Sequence, residues 1–167
     1  MKGEIMRYQI RQKIFSFGDN FTIKGENEEP KFIVRGKVFT LGDKLSIEDL
    51  NGNKLFYIEQ KLFKFLPEYS IFQDETQVAK VKKEFTFFKP RFYIESKFGS
   101  FDMEGDIFGY NFEIIKNGKS VVTVNKRWFA FSDTYGVEID DRENQAFLLA
   151  LVIIIDQVIH DNKNNNK

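Results

Sequence analysis

The sequence predicts a mostly β fold of the α+β class. About twelve antiparallel strands, arranged as six hairpin units, form a β-barrel wrapped around a hydrophobic C-terminal helix. Three observations lead there. A fourteen-residue strand–turn–strand unit recurs along the chain. A run of ten apolar residues, Ala146 to Ile155, follows the last copy. That run is apolar on every side, so a helix formed by it must be enclosed by protein.

The unit is explicit in the residues. Ile10–Ile23 aligns without gaps to Val34–Ile47, and further copies run Ile58–Ile71, Val81–Ile94 and Val124–Val137. Its fifth position holds Ile14, Val38, Leu62, Phe85 and Trp128, and its eighth holds Phe17, Leu41, Phe65, Phe88 and Phe131. The twelfth reads Phe21, Leu45, Tyr69, Phe92 and Tyr135; the fourteenth reads Ile23, Ile47, Ile71, Ile94 and Val137. Turn residues sit between: Gly18-Asp19, Gly42-Asp43, Leu66-Pro67, Lys89-Pro90 and Ser132-Asp133. Gly and Asp tolerate the dihedrals of tight turns, and Pro presets one of them. The double interval between the copies at 81 and 124 leaves room for one more unit, Met103–Ile114, with a shortened turn.

Connectors between units carry their own hairpin signals at Asn51-Gly52-Asn53, Asp74-Glu75-Thr76 and Asn117-Gly118. The polar stretch from Gly25 to Pro30 reads as an exposed loop. Adjacent apolar pairs, Ile14-Phe15, Val38-Phe39, Leu62-Phe63 and Trp128-Phe129, break simple alternation. Either a bulge re-aims one member of each pair, or the outer face of the sheet carries aromatics.

Asp140-Asp141-Arg142-Glu143 fits a helix start, with Asp140 as N-cap and Glu143 reaching back. A helix over about 141–160 is roughly 30 Å long, against about 25 Å for strands of seven or eight residues. Asp156 and Gln157 are expected where it emerges at the barrel mouth. Residues 1–161 read as a single domain, and 162–167 as a disordered polar tail. The apolar run covers about 15 Å as helix, half of the roughly 30 Å hydrocarbon core of a bilayer. A core helix is therefore expected, not a transmembrane anchor.

Composition narrows function mainly by exclusion. Lys and Arg number 25 against 25 Asp and Glu, without the basic excess of a nucleic-acid binder. Cysteine is absent, which removes disulfides, thiol nucleophiles and thiolate metal sites. Met1 to Lys13 is too polar for a signal peptide, so a cytoplasmic location is expected. The 20 Phe suit the half-buried surface of a sheet. Neither G-x-x-x-x-G-K nor G-x-G-x-x-G occurs. The single histidine, His160, follows the apolar helix beside a polar tail, a poor place for a catalytic base. Asp140, Asp141 and Glu143 lack EF-hand spacing. The expectation is a protein without catalytic residues, metal or cofactor.

One electrostatic feature stands out. Lys80, Lys82, Lys83, Lys89, Arg91 and Lys97 crowd a short stretch against only Glu84 and Glu95. Lys80 and Lys82 share a strand face, Lys89 and Arg91 flank the following turn, and Lys126 and Arg127 fall on the corresponding strand of another unit. The candidate ligand-binding residues are therefore Lys80, Lys82, Lys83, Lys89, Arg91, Lys126 and Arg127, able to hold phosphate by charge-assisted hydrogen bonds. The alternative is a solvated face whose lysines guard sheet edges.

Three segments carry a family resemblance: Lys126–Ile139, the Ala146–Ile155 helix, and Ile10–Phe21. Together they resemble the LURP-one-related family and its bacterial members, within the Tubby C-terminal-like superfamily, over roughly residues 5 to 160. The resemblance implies a non-enzymatic barrel domain. Tubby domains bind phosphoinositide headgroups on the barrel exterior, and phospholipid scramblases are proposed to share the fold. No residue-by-residue match to the Tubby headgroup pocket exists, so no lipid-binding residue is carried over. The functional expectation is binding of an anionic phospholipid headgroup or an acidic partner on the barrel exterior, peripheral to a membrane. The alternative is a structural or protein-interaction domain with no small-molecule ligand.

Overall fold

The computed structural model describes residues 3–11, 20–36, 42, 44–128 and 133–165, the last four by backbone only. Its strands are β1 (Ile5–Arg11), β2 (Phe21–Gly25), β3 (Pro30–Gly36), β4 (Lys44–Glu48), β5 (Lys54–Gln60) and β6 (Glu68–Gln73). They continue with β7 (Thr76–Glu84), β8 (Arg91–Ser96), β9 (Phe101–Asp106), β10 (Asn111–Lys116), β11 (Lys119–Asn125) and β12 (Thr134–Asp140). A helix, α1 (Gln145–Asn165), follows. Each strand pairs antiparallel with its neighbours in sequence, and β1 pairs with β12 from Ile5↔Asp140 to Arg11↔Thr134, which closes the barrel. The expected fold class is what the structure shows.

Repeat positions divide by burial. The first position (Ile10, Val34, Ile58, Val81, Val124) and the fourteenth (Ile23, Ile47, Ile71, Ile94, Val137) are all core. The twelfth is core or packs against it. The described members of the fifth and eighth positions are exposed instead: Leu62, Phe85, Trp128, Phe65 and Phe88. The reason is strand length. β5 ends at Gln60 and β7 at Glu84, and Lys126–Trp128 is a 3-10 turn. These residues lie past the end of the wall, where no core remains to face.

The apolar pairs are corrected accordingly. Leu62-Phe63 is neither bulged within a strand nor on the sheet's outer face; it belongs to the connection after β5. Trp128 belongs to the turn after β11, and so do Lys126 and Arg127, which were expected on a strand. Ile14-Phe15, Val38-Phe39 and Phe129 lie outside the described residues. Connector turns follow the sequence signals. Asn117 and Gly118 both have positive φ, 51° and 74°, the conformation of a two-residue type I′ hairpin.

α1 begins four residues later than expected, and its N-cap is Asn144, not Asp140. The Asn144 carboxamide oxygen accepts from Phe147 N–H at 3.0 Å, and its carbonyl accepts from Leu148 N–H at 3.1 Å. Asp140 shapes the preceding turn. Its carboxylate accepts from Arg142 N–H at 3.0 Å, and its carbonyl accepts from Glu143 N–H at 3.1 Å. Glu143 turns away to Lys116, 2.8 Å off. From Ala146 to Ile159 every residue of α1 is buried. Phe147 anchors its start among Phe56, Phe98 and Phe101, with ring centroids 4.5–5.9 Å away.

Asp156 and Gln157 are inside, 2% and 6% exposed, and not at the mouth where they were expected. Burial of the carboxylate is tolerated because the Tyr110 hydroxyl donates to it. The helix also passes the expected end at 160, and residues 162–165 of the expected tail are helical in backbone. No helix among the described residues is long and apolar enough to cross a membrane.

Candidate functional site: an aromatic and basic rim

Antiparallel alternation sorts the connections into two ends. Residues 26–29, 49–53, 74–75, 97–100 and 117–118 join strands, and 141–144 lead from β12 into α1, at the end where α1 enters. Residues 61–67, 85–90, 107–110 and 126–128 lie at the other end, towards which α1 runs. The two ends differ in chemistry. The connections at the entry end expose Glu26, Glu28, Asp74, Glu75 and Asp141, against Lys97 and Arg142 as their exposed cations. The exit end, hereafter the rim, exposes aromatics.

Phe63 is 100% exposed, Phe88 97%, Phe65 92% and Phe87 85%. Phe85, Phe108 and Leu62 lie on the same rim loops, whereas Trp128, in the turn after β11, lines a cleft with Arg7, Tyr8 and Glu138 of the wall. Away from the rim, the large apolar side chains exposed among the described residues are Ile5, Leu50 and Tyr93. Scattered exposed apolar residues need no explanation, whereas a contiguous group does. The rim loops are held from below. Lys61 N–H donates to Glu68 C=O at 2.8 Å, and Lys83 N–H donates to Pro67 C=O at 2.9 Å. Within 85–90 the Thr86 hydroxyl donates to the Lys89 carbonyl, and Phe85 meets Phe87 edge-to-face at 5.4 Å.

The predicted basic residues are only partly brought together. Lys80 and Lys82 sit on the barrel wall, in register with Ser70 and Glu95, and with Glu68 and Tyr93. Lys83 shares the inward parity of Val81, and burial pushes its ammonium pKa down. Lys89 and Arg91 are at the rim, as are Lys126 and Arg127, three strands away across β9 and β10. The rim adds Lys61 and Lys64, which sequence reasoning did not single out. Some charges there are balanced: Lys64 lies 3.8 Å from Glu68, Arg91 3.7 Å from Glu84, and Arg11 3.0 Å from Asp133. Lys61, Lys89, Lys126 and Arg127 have no ion pair among the described residues.

Phe65, Phe87 and Phe88 were not singled out as site residues, because sequence reasoning placed the aromatics in the sheet. The available signal was spacing: the fifth and eighth positions flank the turn residues, farther from the strand centres than the first and fourteenth.

Beneath the rim lies a buried polar cluster. Tyr110 has φ 53°, a conformation that costs a bulky side chain, and it follows the tight turn closed by Gly109 N–H on the Asp106 carboxylate at 3.0 Å. Its ring packs on Tyr135 at 4.9 Å. Burial first, then the charge of Asp156, raises the pKa of both phenols well above the usual value. The Tyr135 hydroxyl has no hydrogen-bond partner among the described residues. Neutral phenols around one carboxylate suit a structural lock on the helix. No group of three or more His, Asp or Glu able to hold a metal occurs among the described residues.

Comparisons with known proteins give the family from sequence and the fold from structure. The family model described as LURP-one-related matches residues 6–156. The uncharacterized protein YxjI of Bacillus subtilis (strain 168) is 33% identical over 157 residues, covering 94% of this chain and 96% of that protein. The X-ray structure of a protein from Arabidopsis thaliana superposes with a TM-score of 0.68 at 20% identity, covering 94% of this chain and 93% of the other.

Proposed function

Because the chain belongs to the LURP-one-related family, and the core of its barrel is filled by its own helix, we propose a non-enzymatic binding module that docks rim-first on an anionic phospholipid surface. The observation that carries this reading is the segregation of exposed Phe63, Phe65, Phe87 and Phe88 to the end that also bears Lys61, Lys89, Arg91, Lys126 and Arg127. Apolar rings that protrude past a barrel wall gain nothing in the folded monomer, yet each removes surface from water on entering a bilayer interface. Lysine and arginine beside them contribute about 1 kcal/mol each near an anionic leaflet. The formal net charge is +0, so attraction rests on asymmetry. With carboxylates at the entry end, the field turns the rim towards a negative surface.

Lys80 and Lys82 lie on the wall and contribute little in this orientation. In this reading Lys89, Arg91, Lys126 and Arg127 are the predicted candidates that touch headgroups.

Co-sedimentation with phosphatidylserine vesicles, phosphatidylcholine vesicles and no vesicles tests the reading. Binding is expected to the anionic vesicles alone, to weaken as salt rises, to fall with Lys89→Glu plus Arg91→Glu, and to survive Lys80→Glu plus Lys82→Glu. Equal binding to both vesicle types, or none, overturns it.

A further inference from the structure

The barrel is closed, but one seam is barely stitched. β8 and β9 share a single residue pair, Ile94↔Phe101, whereas β7 and β8 pair at six positions from Ala79↔Ser96 to Glu84↔Arg91. Beyond Ile94↔Phe101 the two strands part towards the rim. Gly105 helps to draw β9 away: its φ is +110°, and a Cβ there would lie 2.7 Å from the Asn111 carbonyl oxygen and 2.9 Å from Phe112 Cα. Backbone of β10 thus occupies the space, and β9 ends pressed against β10 instead of β8.

A cleft of about 670 Å³ opens where the strands part, within the size of small-molecule sites. One wall is Phe87, Phe88 and Pro90; the other is Met103 and Ile107. Lys89 and Arg91 stand at its loop side and Glu104 on the opposite strand. Lys89 has no carboxylate partner among the described residues.

We propose that this split seam takes one acyl chain, with its anionic headgroup held at Lys89 and Arg91. The inference rests on the membrane reading above and deepens it, from contact with a surface to capture of a single lipid. The chain lies along carbon on both walls. The head is directed by charge, since Glu104 repels it from β9 while Lys89, and Arg91 shared with Glu84 at 3.7 Å, attract it. Unpaired backbone at the parted edges gives the strands room to adjust without breaking ladder hydrogen bonds.

Calorimetric titration of the full chain with single-chain amphiphiles below their micelle concentration tests this without any membrane. Octyl and decyl phosphate supply chain and head, inorganic phosphate the head alone, and decyltrimethylammonium the chain with the opposite charge. Affinity is expected to rise about fourfold per added CH2, to vanish for inorganic phosphate, and to drop at least tenfold for the cationic amphiphile. Glu104→Trp, on an exposed strand position, fills the cleft and is expected to abolish decyl phosphate binding while vesicle binding persists. Affinity independent of chain length, no decyl phosphate binding beside intact vesicle binding, or indifference to Glu104→Trp each overturns the proposal and leaves the surface reading standing. Loss of vesicle binding in the unaltered chain overturns both.

Discussion

Replacing Phe63 and Phe88 by serine separates a structural role from an interfacial one. Both side chains are essentially outside the fold, 100% and 97% exposed, so the folded state loses no burial when they go. Substitutions of this kind usually change stability by less than about 0.5 kcal/mol. In a bilayer interface the same rings have nearly their full area to remove from water. Transferring a Phe side chain is worth about 1.5–3 kcal/mol, so the pair is worth about 3–6 kcal/mol if both insert fully. At 1.36 kcal/mol per decade, the vesicle partition constant of the double variant should fall by roughly two to four orders of magnitude. Urea unfolding measures the first quantity, and co-sedimentation with phosphatidylserine vesicles the second. A destabilisation beyond about 1 kcal/mol would mean the rings pack against something in the fold. Undiminished partitioning would mean the rim does not enter the membrane.

Other expectations follow from the core and its fastenings. Ile153→Ala, at a fully buried site of α1, should cost about 2–5 kcal/mol, read from the urea midpoint, because an enclosed helix leaves little room to collapse. Asn144→Ala removes the cap on Phe147 N–H and should cost about 1 kcal/mol in the same assay, whereas Asp141→Ala, exposed and outside the cap, should be close to neutral. Burial pushes Tyr8 up to about 12 and raises Tyr110 and Tyr135 well above 10. Neutral phenol is thus favoured in the fold, and its stabilisation is complete below pH 10 and lost as pH rises through 10 to 12 and beyond. The urea midpoint should fall over that window, with phenolate absorbance of these residues appearing at unfolding. A pH-independent midpoint there would contradict the burial.

Much of the wall was legible because strand periodicity, turn residues and the repeat all report the same geometry. Ile23, Ile47, Ile71, Ile94 and Val137 stand at one repeat position and one depth. The rim was not legible for a physical reason. Hydrophobicity alone marks Phe65 and Phe88 as core candidates, and only the point at which each strand stops reveals that they protrude. Asp140 misled in a similar way. An acidic residue preceding an apolar run is an N-cap signal, but four more residues of turn were needed to bring the chain from β12 into the barrel axis, and Asn144 stands where that path ends. The basic cluster was read from sequence proximity and from repeat position: barrel geometry separates Lys80 from Lys89 by height, whereas Lys126 and Arg127, grouped with them by the repeat, stand at the same end as Lys89.

The order of elements also has a consequence for how the molecule comes to exist. During synthesis the wall emerges before its filling: twelve strands whose inner faces carry Ile, Val, Phe and Tyr leave the ribosome ahead of the segment that covers them. The closing pair, Ile5↔Asp140, joins residues at nearly opposite ends of the strand region. Early hairpins therefore form with an apolar face open to water and to one another. Such topologies fold slowly, because the native state is complete only when distant segments such as β1 and β12 meet. A chain interrupted before residue 145 is a string of sticky ribbons, so this architecture places its greatest aggregation hazard in the seconds before its last helix arrives.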